Sequence, residues 1–196
     1  MPRPTLKQGR RVQILDAFET CVARYGVEGA TLAKTADEAG LARPLVRHNV
    51  GNRDDLLKAL IDRYLETSQD KMAALIEALP DEGAVKTMIE WLFDPDYSDA
   101  KLVQIAGALI TASNDNPELA VKMRHWLDEF VSRLNDQLAK EFPNADPAQV
   151  AAVATGVTGI YFNVESLYPL GNIQAVLASS KEAASILIRS LEAGNE

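Results

Sequence analysis

The sequence predicts an all-α protein of about nine helices, with a three-helix N-terminal part built around a helix-turn-helix and a larger helical body behind it. Three observations predict this. Apolar residues recur at helical spacing along the whole chain, and no segment alternates polar and apolar residues as a strand would. Proline-containing turns separate the periodic segments. Residues 31–57, TLAKTADEAGLARPLVRHNVGNRDDLL, place two short helices on either side of one glycine, and the second carries Arg43, Arg47 and His48.

Each element follows from its own residues. Leu15, Phe18, Val22 and Tyr25 make one stripe of a first helix over about residues 8–25, closed by Gly26. Thr31 caps a second helix reaching Ala39, and Ala42 to Asn49 forms a third. Asp54 opens a long amphipathic helix with Leu57, Ile61, Tyr64, Met72, Leu75 and Leu79 on one side, ended by Pro80. Residues 82–94, 98–115 and 118–142 follow, bounded by Asp94-Pro95, Asn116-Pro117 and Pro143. The last pair, 147–168 and 172–193, flanks Pro169 and Gly171.

At 196 residues and 47% hydrophobic, the chain has enough apolar content for a sizeable buried core and is unlike a disordered segment. No apolar run is expected to reach the length of a membrane span, and the basic N-terminus MPRPTLKQGRR has no apolar stretch behind it, so no secretory signal is expected. Cys21 is the one cysteine, which excludes an intrachain disulfide and fits a reducing cytoplasm. A soluble cytoplasmic protein with no membrane partner is the expectation. The net charge of −8 hides an asymmetry: residues 1–66 carry +2 and residues 67–196 carry −10. Arg3, Lys7, Arg10 and Arg11 all precede the first acidic residue, Asp16, as a basic tail. Phosphate attraction depends on where cations sit, because screening confines it to about 10 Å at moderate salt.

A helix-turn-helix needs a small residue where its helices touch, a turn residue tolerant of positive φ, and an inward apolar anchor on the second helix. Ala36, Gly40 and Val46 stand in those roles. Arg43 and Arg47, four apart, share one face with His48 beside them. A guanidinium fork there can contact guanine O6 and N7 or clamp a phosphate. Pro44 fits a first turn, and Leu45 joins the same short helix. His48 reads as a donor to base or phosphate, or as a solvated surface histidine. Asn49 reads as a contact to adenine or as a cap of its own helix. Thr31 suits both N-capping and a phosphate at that helix N-terminus. Arg53 suits a phosphate or an exposed ion pair.

With these residues in view, positions 10–65 resemble the DNA-binding domain of the tetracycline-repressor (TetR) family. The likeness lies in the aromatic-bearing first helix ending in Gly26, in Thr31, in the Ala39-Gly40-Leu41 turn, and in the N-R-D-D-L-L entry to the fourth helix. The resemblance implies a homodimeric regulator of transcription, usually a repressor, that leaves a double-stranded DNA operator when a small-molecule effector binds. It further implies a DNA-binding domain over residues 1–53 and a ligand-binding and dimerisation domain over 54–196. The chain departs from the family pattern at Thr35, Ala42, Arg47, Val50 and Arg53, where isoleucine, a Ser or Thr cap, tyrosine, phenylalanine and lysine are usual.

In the body, Val150, Ala154, Val157, Tyr161, Val164 and Tyr168 form one stripe, and Ile173, Val176, Leu177, Ala184, Leu187 and Leu191 another. These stripes are expected to build a dimeric four-helix bundle, with Ala151, Ala154, Gly156 and Gly159 permitting close approach. Trp91, Phe93, Trp126, Phe130, Met88 and Met123, with polar Thr111, Ser113, Asn114 and His125, are expected to wall a small-molecule pocket. Tyr161, Asn163 and Glu165 are further candidates.

No H-x-x-x-H or C-x-x-C pair, phosphate-cradling glycine loop or G-x-S-x-G elbow occurs, so no metal, cofactor or catalytic residue is expected. The competing reading is a helical small-molecule-binding or enzymatic protein whose helix-turn-helix does not serve DNA.

Overall fold

A computed structural model describes residues 6–192. Among them lie nine α-helices, one 3-10 turn and no strand. The helices are α1 (Leu6–Gly29), α2 (Leu32–Ala39), α3 (Arg43–Val50), α4 (Arg53–Glu77), α5 (Ala84–Leu92), α6 (Ala100–Ala112), α7 (Pro117–Glu141), α8 (Pro147–Ser166) and α9 (Gln174–Arg189), with the 3-10 turn at Tyr168–Leu170. Arg3 of the expected basic tail lies outside the described residues. Lys7, Arg10 and Arg11 belong to the first turns of α1 rather than to a tail, and all three are exposed.

The chain forms two compact units, residues 1–69 with 101–123, and residues 70–100 with 124–196. Neither unit breaks at position 53. Helix α4 is continuous from Arg53 to Glu77, and its first turns bury Leu56, Leu60, Ile61 and Tyr64 within the first unit.

In the first unit α1 packs on α2 and α3, and α2 packs on α3. Ile14, Phe18, Val22, Val46 and Leu60 are completely buried. Within α1, Gly26 has φ 70 and ψ 174, a break where the stripe of the first helix stops. Helices α4 and α6 are tied to α1 by ion pairs that the sequence reading did not anticipate. Arg63 reaches Asp16 at 2.6 Å and Glu19 at 3.1 Å, and Lys101 reaches Glu19 at 3.1 Å.

The second unit has its own core: Met88, Ile89 and Phe93 of α5 and its end, Leu134 and Leu138 of α7, Val150 to Val164 along α8, and Leu177, Ala184 and Ile188 of α9. Helix α9 packs on both α8 and α5. One sequence expectation is corrected here. The α8 stretch with the turn after it, Pro147–Leu170, is long and apolar enough, by length and composition, to cross a bilayer. Alanine, glycine and valine raise its apolarity, yet its valines are buried against neighbouring helices as in a central core helix. Of the residues expected at a dimer interface, Val150, Ala154, Val157, Val164 and Ala184 are 0–3% exposed in the protomer's own core, whereas Val176 is 44% exposed and Tyr161 and Leu187 are half-buried. A helix with two apolar faces offers two stripes, and periodicity alone does not rank them.

Candidate nucleic-acid interface

The reading unit is assembled by local backbone rules. Thr31 is extended and its hydroxyl accepts from the Lys34 amide at 3.3 Å, so α2 starts there. Gly40, at φ 64, ends α2 in the left-handed conformation and donates its amide to Ala36 and Asp37 carbonyls. Helix α3 starts at Ala42 without a side-chain cap, with Pro44 exposed in the first turn. Asn52 and Asp55 cap the entry to α4 reciprocally, the Asn52 amide donating to Asp55 Oδ2 at 3.0 Å and the Asp55 amide to Asn52 Oδ1 at 2.9 Å.

Burial then orients α3. Val46 is 0% and Val50 9% exposed, so these two fix its inner face. Arg43, Arg47 and His48 are exposed on the outer side, and Leu45 is half-buried between. Ala36 is buried at the contact of the two helices. Thr35, in place of a larger apolar residue, is also buried, and its hydroxyl donates to the Thr31 carbonyl at 2.9 Å, so no polar atom is stranded.

Two residues named for the DNA surface make hydrogen bonds within the fold, in line with the second role expected of each. Asn49 Nδ2 donates to the Leu45 carbonyl at 2.8 Å, one turn back on its own helix. Arg53 donates from Nε to the Ala30 carbonyl at 3.3 Å and from Nη2 to Val27 O at 2.5 Å, and it pairs with Glu28 at 3.2 Å. Its guanidinium is a brace between α4 and the chain joining α1 to α2. Sequence reasoning missed Gln13, whose Nε2 donates to the Ala39 carbonyl at 2.9 Å and so helps to finish α2. It also missed Lys34, which lies 4.0 Å over the exposed Tyr25 ring and adds positive charge near Thr31. The separations in sequence, 26 residues for the Gln13 bond, leave no local pattern to read.

Cys21 is buried in α1, and burial, followed by the nearby Glu38 carboxylate, raises its thiol above the ordinary value. A thiol held protonated in this way is a small core group.

In the second unit, the expected pocket residues divide. Trp126, Phe130 and Tyr161 come together with Phe162: Phe130 stacks on Tyr161 with centroids 5.6 Å apart, and Trp126 tilts against Phe162 at 5.3 Å. Phe93 meets Tyr161 edge-on at 6.1 Å. Trp91 stacks separately on Tyr97 at 5.7 Å. Thr111, Asn114 and Met123 belong to the first compact unit. Thr111 and Asn114 are exposed, and the Thr111 hydroxyl returns to the Gly107 carbonyl of its own helix. Glu165 is 2% exposed beside the cluster and accepts from the Ser98 hydroxyl at 2.9 Å.

On α8 and α9, the residues left outward are Gly156, Gly159, Ile160 and Asn163, with Ala175, Val176, Ser179, Ser180 and Ala183 opposite them along an open groove. Val176 and Ile186 are 44% and 54% exposed, and Leu187 is half-buried with a terminal carbon against Gly156.

No model of a known protein family matches the chain. The HTH-type transcriptional regulator BetI of Paraburkholderia phytofirmans is 26% identical over 191 residues, 95% of this chain and 93% of that protein. The HTH-type transcriptional repressor AcnR of Corynebacterium jeikeium is 33% identical over 84 residues, 41% of each chain. Among solved structures, a TetR-family transcriptional regulator from Cytophaga hutchinsonii superposes with a TM-score of 0.75 at 14% identity, over 96% of this chain and 98% of the other. Along nearly its full length the chain has the fold of that TetR-family structure, and in sequence it is similar to helix-turn-helix transcriptional regulators.

Proposed function

We propose that the protein is a homodimeric repressor that binds a near-palindromic double-stranded operator in the cytoplasm and is released by a small-molecule effector. The observation that carries this reading is the outward face of α3, where Arg43, Arg47 and His48 are exposed while Val46 and Val50 lock the helix from behind. A short helix with a cationic outer face suits the major groove, and two copies about one helical turn apart suit two half-sites. Thr31 and Pro44 flank that face and contribute to backbone contact. Residues 1–53 are assigned to DNA reading and residues 54–196 to effector binding and dimerisation.

The second copy docks on the outward groove of α8 and α9. Its small residues admit close helix approach, and exposed Val176 and Ile186 supply apolar area. The effector site lies at the ring cluster of Trp126, Phe130, Tyr161 and Phe162. An effector releases DNA only if it prefers the arrangement that does not bind the operator.

Selection from a random duplex library tests the reading. Enrichment of a near-palindrome is expected. Failure to enrich any sequence, with a folded dimer in hand, would favour the non-DNA alternative.

A further inference from the structure

Buried charge is costly unless something compensates it, so a carboxylate at 2% exposure calls for a partner. Glu165 has only the neutral Ser98 hydroxyl, and no ion pair reaches it among the described residues. The surroundings make the deficit larger. Asp99 lies close enough to raise the Glu165 carboxyl further, and Asp94 acts in the same sense on Tyr168. Lys71 is committed to Asp99 at 2.6 Å. One turn along from Glu165, Tyr168 buries a phenol oxygen without a well-formed hydrogen bond, because the Ser98 hydroxyl beside it is donated to Glu165. Tyr161, one turn back on α8, presents its ring to Phe130, Phe162 and Phe93, and feels the charge of Glu165.

We infer that Glu165, Tyr168 and the Tyr161 ring form the head of the effector site, and that the effector is a protonated amine carried on an aromatic or apolar body. This rests on the effector-binding reading given above. A cation stabilises the ionised Glu165 that burial otherwise disfavours. The Tyr168 oxygen, with only the Ser98 hydroxyl beside it, is open to a hydrogen bond, which an ammonium N–H donates and a quaternary ammonium does not. The aromatic faces accommodate the body and favour the cation through their quadrupoles. Ser98, which occupies one carboxylate oxygen, lies on the connection between α5 and α6 rather than in a helix, so its hydroxyl is the contact that a ligand displaces.

Three probes of similar shape test this on the full-length protein: benzylammonium, benzyl alcohol and benzyltrimethylammonium. Binding is read by calorimetry and by intrinsic tryptophan fluorescence, to which Trp126 contributes. Benzylammonium is expected to bind at least tenfold tighter than either other probe. Glu165→Gln is expected to remove that preference and leave benzyl alcohol unchanged, with the fold checked by circular dichroism. Should Glu165→Gln fail to fold, Ser98→Ala carries the test: losing the competing hydroxyl is expected to tighten amine binding, and weaker binding overturns the inference. Equal affinity for amine and alcohol overturns the cationic class while leaving an effector site at this cluster. Equal affinity for the amine and the quaternary ion overturns the N–H requirement. If neither amine nor alcohol binds at millimolar concentration, both the inference and the placement of the effector at these rings fall.

Discussion

Arg53 donates from Nε to the carbonyl oxygen of Ala30 across 3.3 Å, fastening the start of α4 to the segment between α1 and α2. With the second donor on Val27 and the pair with Glu28, this makes the guanidinium a part of the reading unit's frame. Hydrogen bonds to a charged donor contribute about 1.5–3 kcal/mol, so Arg53→Ala is expected to cost about 2 kcal/mol of stability. Urea midpoints measure it. A phosphate contact would instead lower the salt slope of operator binding by about one unit. An unchanged midpoint with a reduced slope would restore Arg53 to the DNA surface.

Arg47 has the opposite surroundings. It is exposed on the outer face of α3, and among the described residues no ion pair is formed by its side chain. Arg47→Ala is therefore expected to leave the unfolding midpoint within about 0.5 kcal/mol and to weaken operator binding more than tenfold at fixed salt. Gel shift and urea unfolding measure the two sides. Undiminished affinity would move the contact elsewhere on α3, with Arg43 the next to test.

The contrast between these arginines shows what the sequence made legible. Helix order, the Gly40 turn and the inward set Ala36, Val46 and Val50 follow from rules spanning four residues or fewer, and those were readable. The partners of Arg53 lie 23 and 26 residues away, and those of Arg63 up to 47. Such contacts exist only once α1, α2 and α4 have packed. The two sides of α8 were left unranked by the sequence for a related reason. Helix α8 is apolar on its inner and outer sides, so periodicity marks a helix without saying which side meets the protomer core. Glu165 was visible as an acid within an apolar helix, but its near-total burial was not.

Dimerisation, if the outward groove carries it, separates from folding by choice of residue. Ile186 is 54% and Val176 44% exposed, so a charge at either leaves the protomer core intact. Ile186→Asp with Val176→Asp is expected to give a folded monomer of about the 21.4 kDa chain mass in light scattering, with loss of operator affinity. Val157, at 0% exposure, is the control: Val157→Asp is expected to unfold the second unit, because it places a charge in the core. A dimer that survives the double change would place the interface on another face.

The pH response of stability tests whether Glu165 is as confined as its surroundings suggest. Burial first, and the neighbouring Asp99 charge after it, push its carboxyl above the ordinary carboxylate range, while the Ser98 hydrogen bond pulls the other way. The folded protein therefore holds this proton more tightly than the unfolded chain. As pH rises from the ordinary carboxylate value to the folded one, the unfolded chain releases its proton first and binds fewer protons than the native state. Stability falls with rising pH across that window and then levels off. Glu165→Gln has no proton to lose, so its stability relative to the parent protein is expected to grow through the window and plateau above it. Urea unfolding of both proteins from pH 4 to about pH 8 measures the difference. Parallel curves would mean that the Glu165 carboxyl titrates alike in the folded and unfolded chains, and a carboxylate at ease without a partner gives a cationic ligand nothing to relieve.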